Sequence, residues 1–132
     1  MNQDRITLTV PARGEYAKTV RLTAASLVSR MGMGYDDVED VRMAAEEAFV
    51  YAVETAPDSG QLTFEFLVDG DAFTLAVGLG TDFDPADEDM EARTSYATFI
   101  LHSVSDSYEL TSDEHGNASL TVTKRAGSID AD

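Results

Sequence analysis

Residues 20–56 read VRLTAASLVSRMGMGYDDVEDVRMAAEEAFVYAVETA and contain two helical patterns in succession. Apolar side chains recur at every third or fourth position on both sides of a break at Gly32, which predicts two amphipathic helices joined by a short connection. The first helix is expected to begin near Glu15. The second is expected to begin near Asp36, where a run of carboxylates complements the positive end of the helix dipole, and to end before Pro57.

Short β-strands are predicted on both sides of this helical pair. Before it, apolar residues alternate with threonines over residues 6–10, which is typical of a half-buried strand. After it, residues 61–69 and 71–79 are rich in β-branched and aromatic side chains. The turn-forming sequence around Gly70 joins these two runs, so they are predicted to form a β-hairpin.

The last third of the chain adds one helix and two strands. Residues 84–91 are acidic and predicted to form a turn, and the apolar pattern of residues 95–104 predicts a helix after it. Two closing strands are expected at 108–111 and 118–123.

This element order predicts an α+β fold. It is a two-layer α/β sandwich in which about three helices cover one face of a mostly antiparallel sheet. The domain is expected to span residues 1–125, followed by a frayed tail at residues 126–132.

Composition narrows the classes of protein and of site. The chain has 132 residues, no cysteine, and 25 acidic against 9 basic side chains, for a net charge of −16. One hydrophobic core is feasible at this length, and the lack of cysteine excludes disulfides and Cys-ligated zinc. No apolar run approaches the roughly 18 residues of a membrane span, and no export signal is visible, so a cytoplasmic protein without membrane contact is predicted.

The negative charge is concentrated after the first third of the chain. Residues 1–42 carry six basic and six acidic side chains. Between Met43 and Val122 there are seventeen acidic residues and a single basic one, Arg93. Direct binding of nucleic acid, which needs clustered Lys and Arg, is therefore not expected. The acidity suits either a basic protein partner or a solvated surface that keeps the protein soluble.

The amino-acid sequence of residues 20–56 resembles that of a known family. Its RLT, SRMG and YDDVEDVRMA stretches are similar to the bacterial anti-sigma-factor serine kinases, which belong to the GHKL superfamily of histidine-kinase-like ATPases. The likeness continues through residues 83–84 and 99–106 into the terminal LTVTKR. It implies the GHKL fold and a homodimer that binds a sigma factor, an anti-anti-sigma protein or both. It also implies that Arg21 contacts these partners.

The same resemblance exposes a change at the magnesium position. Family members carry E-A-x-x-N on the second helix, where the Glu is a general base and the Asn binds Mg²⁺. Here the motif reads EAFVY, so Glu47 keeps the position of the base while Tyr51 replaces the metal ligand. A neutral phenol is a poor ligand for Mg²⁺, which prefers carboxylate and carbonyl oxygens. The Tyr51 ring is a candidate to fill the vacated pocket.

Two further nucleotide positions are altered. The family motif D-x-G, whose Asp recognises adenine, corresponds to Gly78-Leu79-Gly80, and Gly78 has no side chain to make that contact. The glycine-rich segment that covers the triphosphate in relatives corresponds to Thr94, Ser95, Tyr96 and Ala97. No glycine remains there to let backbone amides approach phosphate closely.

These departures favour a pseudokinase that regulates transcription by binding proteins. In this interpretation ATP binding is lost or much weakened, no cofactor or metal is bound, and Glu47 is vestigial. The alternative is an active ATP-dependent protein serine kinase that uses Mg-ATP and phosphorylates an anti-anti-sigma factor. A third interpretation is that the scaffold serves another signalling partner. A sigma factor's DNA-contacting surfaces are basic, so an acidic protein would be steered toward them.

Overall fold

The computed structural model describes residues 3–55, 60–80 and 87–127. The described part contains five strands, three α-helices and one 3₁₀ turn. In chain order these are β1 (Gln3–Pro11), the 3₁₀ turn (Gly14–Tyr16), α1 (Ala17–Arg30), α2 (Tyr35–Thr55), β2 (Gln61–Asp69), β3 (Ala72–Gly80), α3 (Glu88–Val104), β4 (Ser107–Ser112) and β5 (Ala118–Arg125).

The strands form a single sheet in the order β1-β2-β3-β5-β4, and every neighbouring pair is antiparallel. Alternate residues of β2, β3 and β5 are buried, as expected when helices cover only one face of a sheet. The predicted α+β sandwich is therefore confirmed.

Aromatic rings join the helical layer to the sheet. Phe49 of α2 stacks on Phe64 of β2, with ring centroids 6.1 Å apart, and the row continues through Phe66 to Phe73 of β3. Such stacked pairs stabilise a core beyond the area they bury. Alanines of α2 that are fully buried let the neighbouring elements approach this helix closely.

The third helix is longer than the sequence predicts. The turn predicted at residues 84–91 is wrong for residues 88–91, because α3 begins at Glu88 rather than near Ser95. The Asp87 carboxylate caps the helix by accepting a hydrogen bond of 2.9 Å from the Asp89 amide. Acidic residues favour a helix N-terminus as strongly as a turn, which is why composition alone misplaces this boundary. Residues 84–86 lie outside the described part.

The chain stays hydrogen-bonded past the last strand. The Ala126 amide donates to the Asp71 carbonyl at 2.8 Å, and the Gly127 amide donates to the Asp37 carboxylate at 2.7 Å. Lys124 pairs with Asp40 at 3.2 Å and lies 3.7 Å from Asp37, which ties β5 to the start of α2. The remainder of the predicted tail, residues 128–132, lies outside the described residues.

Candidate functional site

Helix α2 presents the two side chains that the sequence singles out. Glu47 and Tyr51 lie one helical turn apart, so their side chains emerge on the same side of the helix. Glu47 is half-buried, whereas Tyr51 is only 3% exposed. The position that the resemblance predicts for the metal ligand therefore carries a buried aromatic ring.

The Tyr51 phenol meets α3 at one of the predicted phosphate positions. A side-chain hydrogen bond joins Tyr51 to Thr94, which is itself 4% exposed. Burial raises the pKa of the Tyr51 phenol, the bond to Thr94 opposes that rise, and nearby Tyr108 adds to it. Tyr51 is thus neutral at physiological pH, and its hydroxyl links α2 to α3.

The four positions that correspond to the glycine-rich segment all lie inside α3. Thr94 and Ala97 are buried against the core, while Ser95 and Tyr96 face outward, with Tyr96 69% exposed. Amides in the interior of an α-helix donate to carbonyls one turn back, and free amides occur only in the first turn. The amides of residues 94–97 are therefore not available to a phosphate.

The first turn of α3, where free amides would face an anion, is strongly acidic. Asp87 already caps it, and Glu88, Asp89 and Glu91 add three more carboxylates. The Glu91 amide donates to the Asp87 carbonyl at 3.0 Å. This helix end repels a polyanion instead of binding it.

One glycine of the predicted adenine motif, Gly78, lies on the face of the sheet turned away from the helices. Val77 and Leu79 point into the core, so position 78 faces the opposite side of the sheet, where a Cβ on Gly78 would meet nothing within 4 Å. Gly80 pairs with Ala118 after a register shift in β3. A motif match cannot reveal on which face of the sheet position 78 lies.

Arg21, the predicted partner contact, is anchored to α2. Its Nη1 donates to Glu46 Oε1 at 3.1 Å, and its side chain is 27% exposed. Its Nε is buried and has no hydrogen-bond partner among the described residues. The guanidinium therefore retains donor capacity that Glu46 does not use.

Glu46, which pairs with Arg21, is the direct neighbour in sequence of Glu47, the predicted general base. Burial raises the pKa of Glu47, and the negative charge of Glu46 raises it further. Glu46 could not be singled out from the sequence, because one carboxylate among many carries no signal of its own. On the α1 side of α2, a cleft of about 280 Å³ is lined by Gly14, Ala17, Glu46, Phe49, Val50, Val53 and Glu54.

The donor set does not fit a magnesium ion at the family's position. The Tyr51 phenol is buried, neutral and already bonded to Thr94, whereas Mg²⁺ prefers carboxylate, carbonyl and water oxygens. Within residues 3–55, 60–80 and 87–127, no three His, Asp or Glu side chains are grouped so that they could hold a metal ion. Over the same ranges, no helix is long and apolar enough to cross a membrane.

Comparisons with known proteins identify the family. The family model described as the histidine kinase-like ATPase domain matches residues 10–124. Serine-protein kinase RsbW of Listeria monocytogenes serotype 4a is 30% identical over 92% of this chain and 87% of that relative. The RsbW protein of Bacillus subtilis is also 30% identical, over 93% of this chain and 86% of its own length. RsbW of Bacillus velezensis is 38% identical over a shorter region, 69% of this chain and 61% of the relative.

These matches confirm the resemblance found in residues 20–56. They agree with the antiparallel sheet and the three helices of the structure. The chain therefore belongs to the histidine kinase-like ATPase domain family and, within it, groups with the anti-sigma-factor serine kinases.

Proposed function

We propose that this protein is an anti-sigma-factor-type regulator of transcription in which ATP binding is lost or much weakened. It acts by binding a sigma factor, an anti-anti-sigma protein or both, as a homodimer in the cytoplasm, without direct contact with nucleic acid or membrane. The observation that carries the proposal is the buried Tyr51 ring and its hydrogen bond to Thr94. Two positions that handle metal and phosphate in the family are here bonded to each other.

The electrostatic field near these positions supports the same conclusion. The phosphates of a bound nucleotide would face the acidic first turn of α3. In the described part of the chain, no group of His, Asp and Glu side chains could hold a metal ion to offset the phosphate charge. Like charges within a few ångströms raise the free energy of binding, most strongly where water is excluded. Mg-ATP would therefore bind weakly even if the Tyr51 ring moved aside.

The partner side of the proposal rests on Arg21 and on the overall charge. Arg21 exposes about a quarter of its side chain, so a partner can contact it while it remains paired with Glu46. The acidic remainder of the chain would steer a basic partner toward the protein and raise the association rate.

Titration calorimetry with ATP and ADP in the presence of Mg²⁺ tests the loss of nucleotide binding. We expect no heat of binding up to about 1 mM nucleotide, while RsbW of Bacillus subtilis, measured in parallel, serves as the comparison. A dissociation constant in the micromolar range for this chain would refute the proposal.

A binding assay with matched charge reversals tests the partner contact. The probes are the sigma factors and anti-anti-sigma proteins that the protein's own genome encodes. Arg21→Glu is expected to weaken such a complex by roughly tenfold or more, because a charged interface contact becomes repulsive. Arg30→Glu, at the exposed end of the same helix, is the control. Equal affinities for the two variants would remove Arg21 from the interface.

The second candidate function is an active protein serine kinase. It is favoured by Glu47, which keeps the position of the base and whose pKa is raised toward the range useful for proton transfer. The relatives RsbW of Listeria monocytogenes and Bacillus subtilis are named serine-protein kinases, which points the same way. Transfer of labelled phosphate from ATP to a serine of the anti-anti-sigma protein, abolished by Glu47→Gln, would establish this function in place of the first.

A further inference from the structure

One exposed side of α3 carries two large aromatic rings. Tyr96 and Phe99 are one helical turn apart and are 69% and 66% exposed. Thr94 and Leu101, on the opposite side of the same helix, are buried. The spacing of the exposed positions places their side chains in one stripe along the helix. We call this stripe the outer face; it comprises Glu88, Ala92, Ser95, Tyr96, Phe99 and Ser103.

Two exposed rings this close together mark a surface that binds another molecule. Single exposed apolar side chains are common on proteins, whereas contiguous apolar patches are characteristic of interaction sites. Among the residues that the structure describes, Tyr35 is the one other aromatic side chain of comparable exposure, and it lies on α2 rather than α3. The pair on α3 is therefore the patch that needs a partner.

The polar groups between the rings can be covered at small cost. The Ser95 hydroxyl donates to the Ala92 carbonyl at 3.1 Å, and the Ser103 hydroxyl donates to the Phe99 carbonyl at 3.0 Å. Because these bonds are made within α3, they persist when a partner removes water from the surface. The middle of the outer face therefore offers a partner two rings between short, internally bonded side chains.

The outer face becomes acidic toward the start of α3. Glu88 lies on the same stripe three turns before Phe99, and Asp89 and Glu91 flank it. In the part of the chain that the structure describes, none of these three carboxylates takes part in an ion pair. Residues 87–103 contain four carboxylates and one arginine. The carboxylates complement the helix dipole and also attract the cations of a partner.

We infer that the outer face of α3 binds a basic amphipathic helix of a partner protein. The apolar side chains of that helix pack on Tyr96 and Phe99, and its lysines or arginines lie near Glu88. The rise from Glu88 to Phe99 is about 16 Å, so a helix of about 11 residues or more spans both regions. A helix fits better than a β-strand, because the interior of α3 offers no unpaired backbone groups and its side-chain ridges pack against those of another helix.

Charge distinguishes this occupant from two others. The acidic start of α3 repels an anionic membrane, and a second copy of this chain would itself bring a net charge of −16. The outer face is also separate from the surface around Arg21, because α2 lies between α1 and α3. The inference therefore goes beyond the proposed function and does not depend on the loss of ATP binding.

Fluorescence anisotropy with a labelled synthetic peptide tests the aromatic part of the outer face. The probe is the helical peptide LKKLLKLLKKLLKL, whose leucines and lysines lie on opposite sides. Phe99→Ser should weaken its binding by roughly fivefold or more, because a central aromatic contact is lost. Tyr35→Ser removes a similarly exposed ring from α2 and is the matched control, with an expected change of less than about twofold. Circular dichroism verifies that each variant is folded.

A second pair of variants tests the acidic part. Glu88→Gln should weaken binding by roughly twofold and reduce its dependence on salt, because one attracting charge of the stripe is lost. Glu109→Gln removes the same charge from an exposed position of β4 and should have a smaller effect. A peptide with glutamate in place of every lysine should not bind.

Four results would overturn the inference. Equal weakening by Phe99→Ser and Tyr35→Ser would show that net charge alone holds the peptide. Equal effects of Glu88→Gln and Glu109→Gln would remove the start of α3 from the surface. Self-association that Phe99→Ser abolishes in sedimentation velocity would assign the face to a second copy, and binding to phosphatidylglycerol vesicles that requires Phe99 would assign it to lipid. These measurements use neither nucleotide nor sigma factor, so their outcome is separate from the tests of the proposed function.

Discussion

Two substitutions at Tyr51 separate the contribution of its ring from that of its hydroxyl. Tyr51→Phe removes the hydroxyl that bonds to Thr94 and leaves the ring in place. Tyr51→Ala removes both and leaves a cavity between α2 and α3. Tyr96, on the outer side of α3 and 69% exposed, provides the matched control, Tyr96→Ala.

The expected magnitudes follow from burial. Losing one intramolecular hydrogen bond costs about 1 kcal/mol, so Tyr51→Phe should lower the free energy of unfolding by about that amount. Truncating a buried aromatic ring to alanine costs about 3–5 kcal/mol, and Tyr51 is only 3% exposed. Tyr96→Ala should change stability by less than about 0.5 kcal/mol, because the ring already faces water.

Urea unfolding followed by circular dichroism measures all three variants, with the urea dependence checked for constancy. Equal stabilities for Tyr51→Ala and Tyr96→Ala would contradict the difference expected from the burial of Tyr51. The Tyr51 ring would then not fill the space between the helices, and the proposed loss of ATP binding would lose its main structural support.

The titration of Tyr51 supplies a pH test of the same geometry. Its pKa is raised above the ordinary value of 10.0, mainly by burial. A raised pKa means that the folded state holds the proton more tightly, so this stabilisation is present below pH 10 and is lost as pH rises through the folded-state pKa. The wild type should therefore lose stability above pH 10 more steeply than Tyr51→Phe. Parallel curves for the two proteins would contradict the burial of the phenol.

Three further perturbations test other parts of the structure. The pKa of Glu47 is raised, so its charged form destabilises the fold at pH 7, and Glu47→Gln should stabilise the protein by less than about 1 kcal/mol, because the group keeps solvent contact. The gain in urea unfolding should shrink as pH falls through the folded-state pKa of Glu47 toward the ordinary value of 4.5. A gain independent of pH would exclude this cause. Lys124 is 14% exposed and pairs with two carboxylates, so Lys124→Met should cost about 1–3 kcal/mol, against less than about 1 for Arg5→Met in an exposed pair. Equal losses would contradict the burial difference. Asp87→Ala removes the cap of α3 and should lower the free energy of unfolding by about 1 kcal/mol, whereas an unchanged value would show that the bond to the Asp89 amide does not cap the helix.

The helices and strands could be predicted because the periods of their apolar residues differ. Val20, Ala24 and Val28 recur at helical spacing and are fully buried in α1, and the alternation of β2 and β3 matches their buried and exposed faces. The start of α3 could not be predicted in this way. Its acidic residues suit both a turn and a helix N-terminus, and the choice depends on the Asp87 cap.

The candidate site, too, could be predicted from the sequence only in part. The substitution at Tyr51 is visible in sequence, because the family motif fixes what stands there in relatives. Its hydrogen bond to Thr94 depends on how α2 packs against α3, and no local pattern encodes that packing. The facing of Gly78, by contrast, follows from the apolar residues Val77 and Leu79 on either side of it. The positions of the motifs can thus be located in the sequence, whereas the sequence does not show which of their side chains meet in space.

The residues at the predicted nucleotide positions depend on one another. Tyr51 occupies space between α2 and α3 because Thr94, in the interior of α3, is there to bond to it. A helical segment at residues 94–97 in turn uses the amides that would otherwise approach phosphate. Restoring a metal ligand at position 51 alone would leave those amides engaged and the first turn of α3 acidic. Under the proposed function, therefore, no single substitution returns the protein to ATP control. A bound partner would then be released when another partner competes for the surface around Arg21.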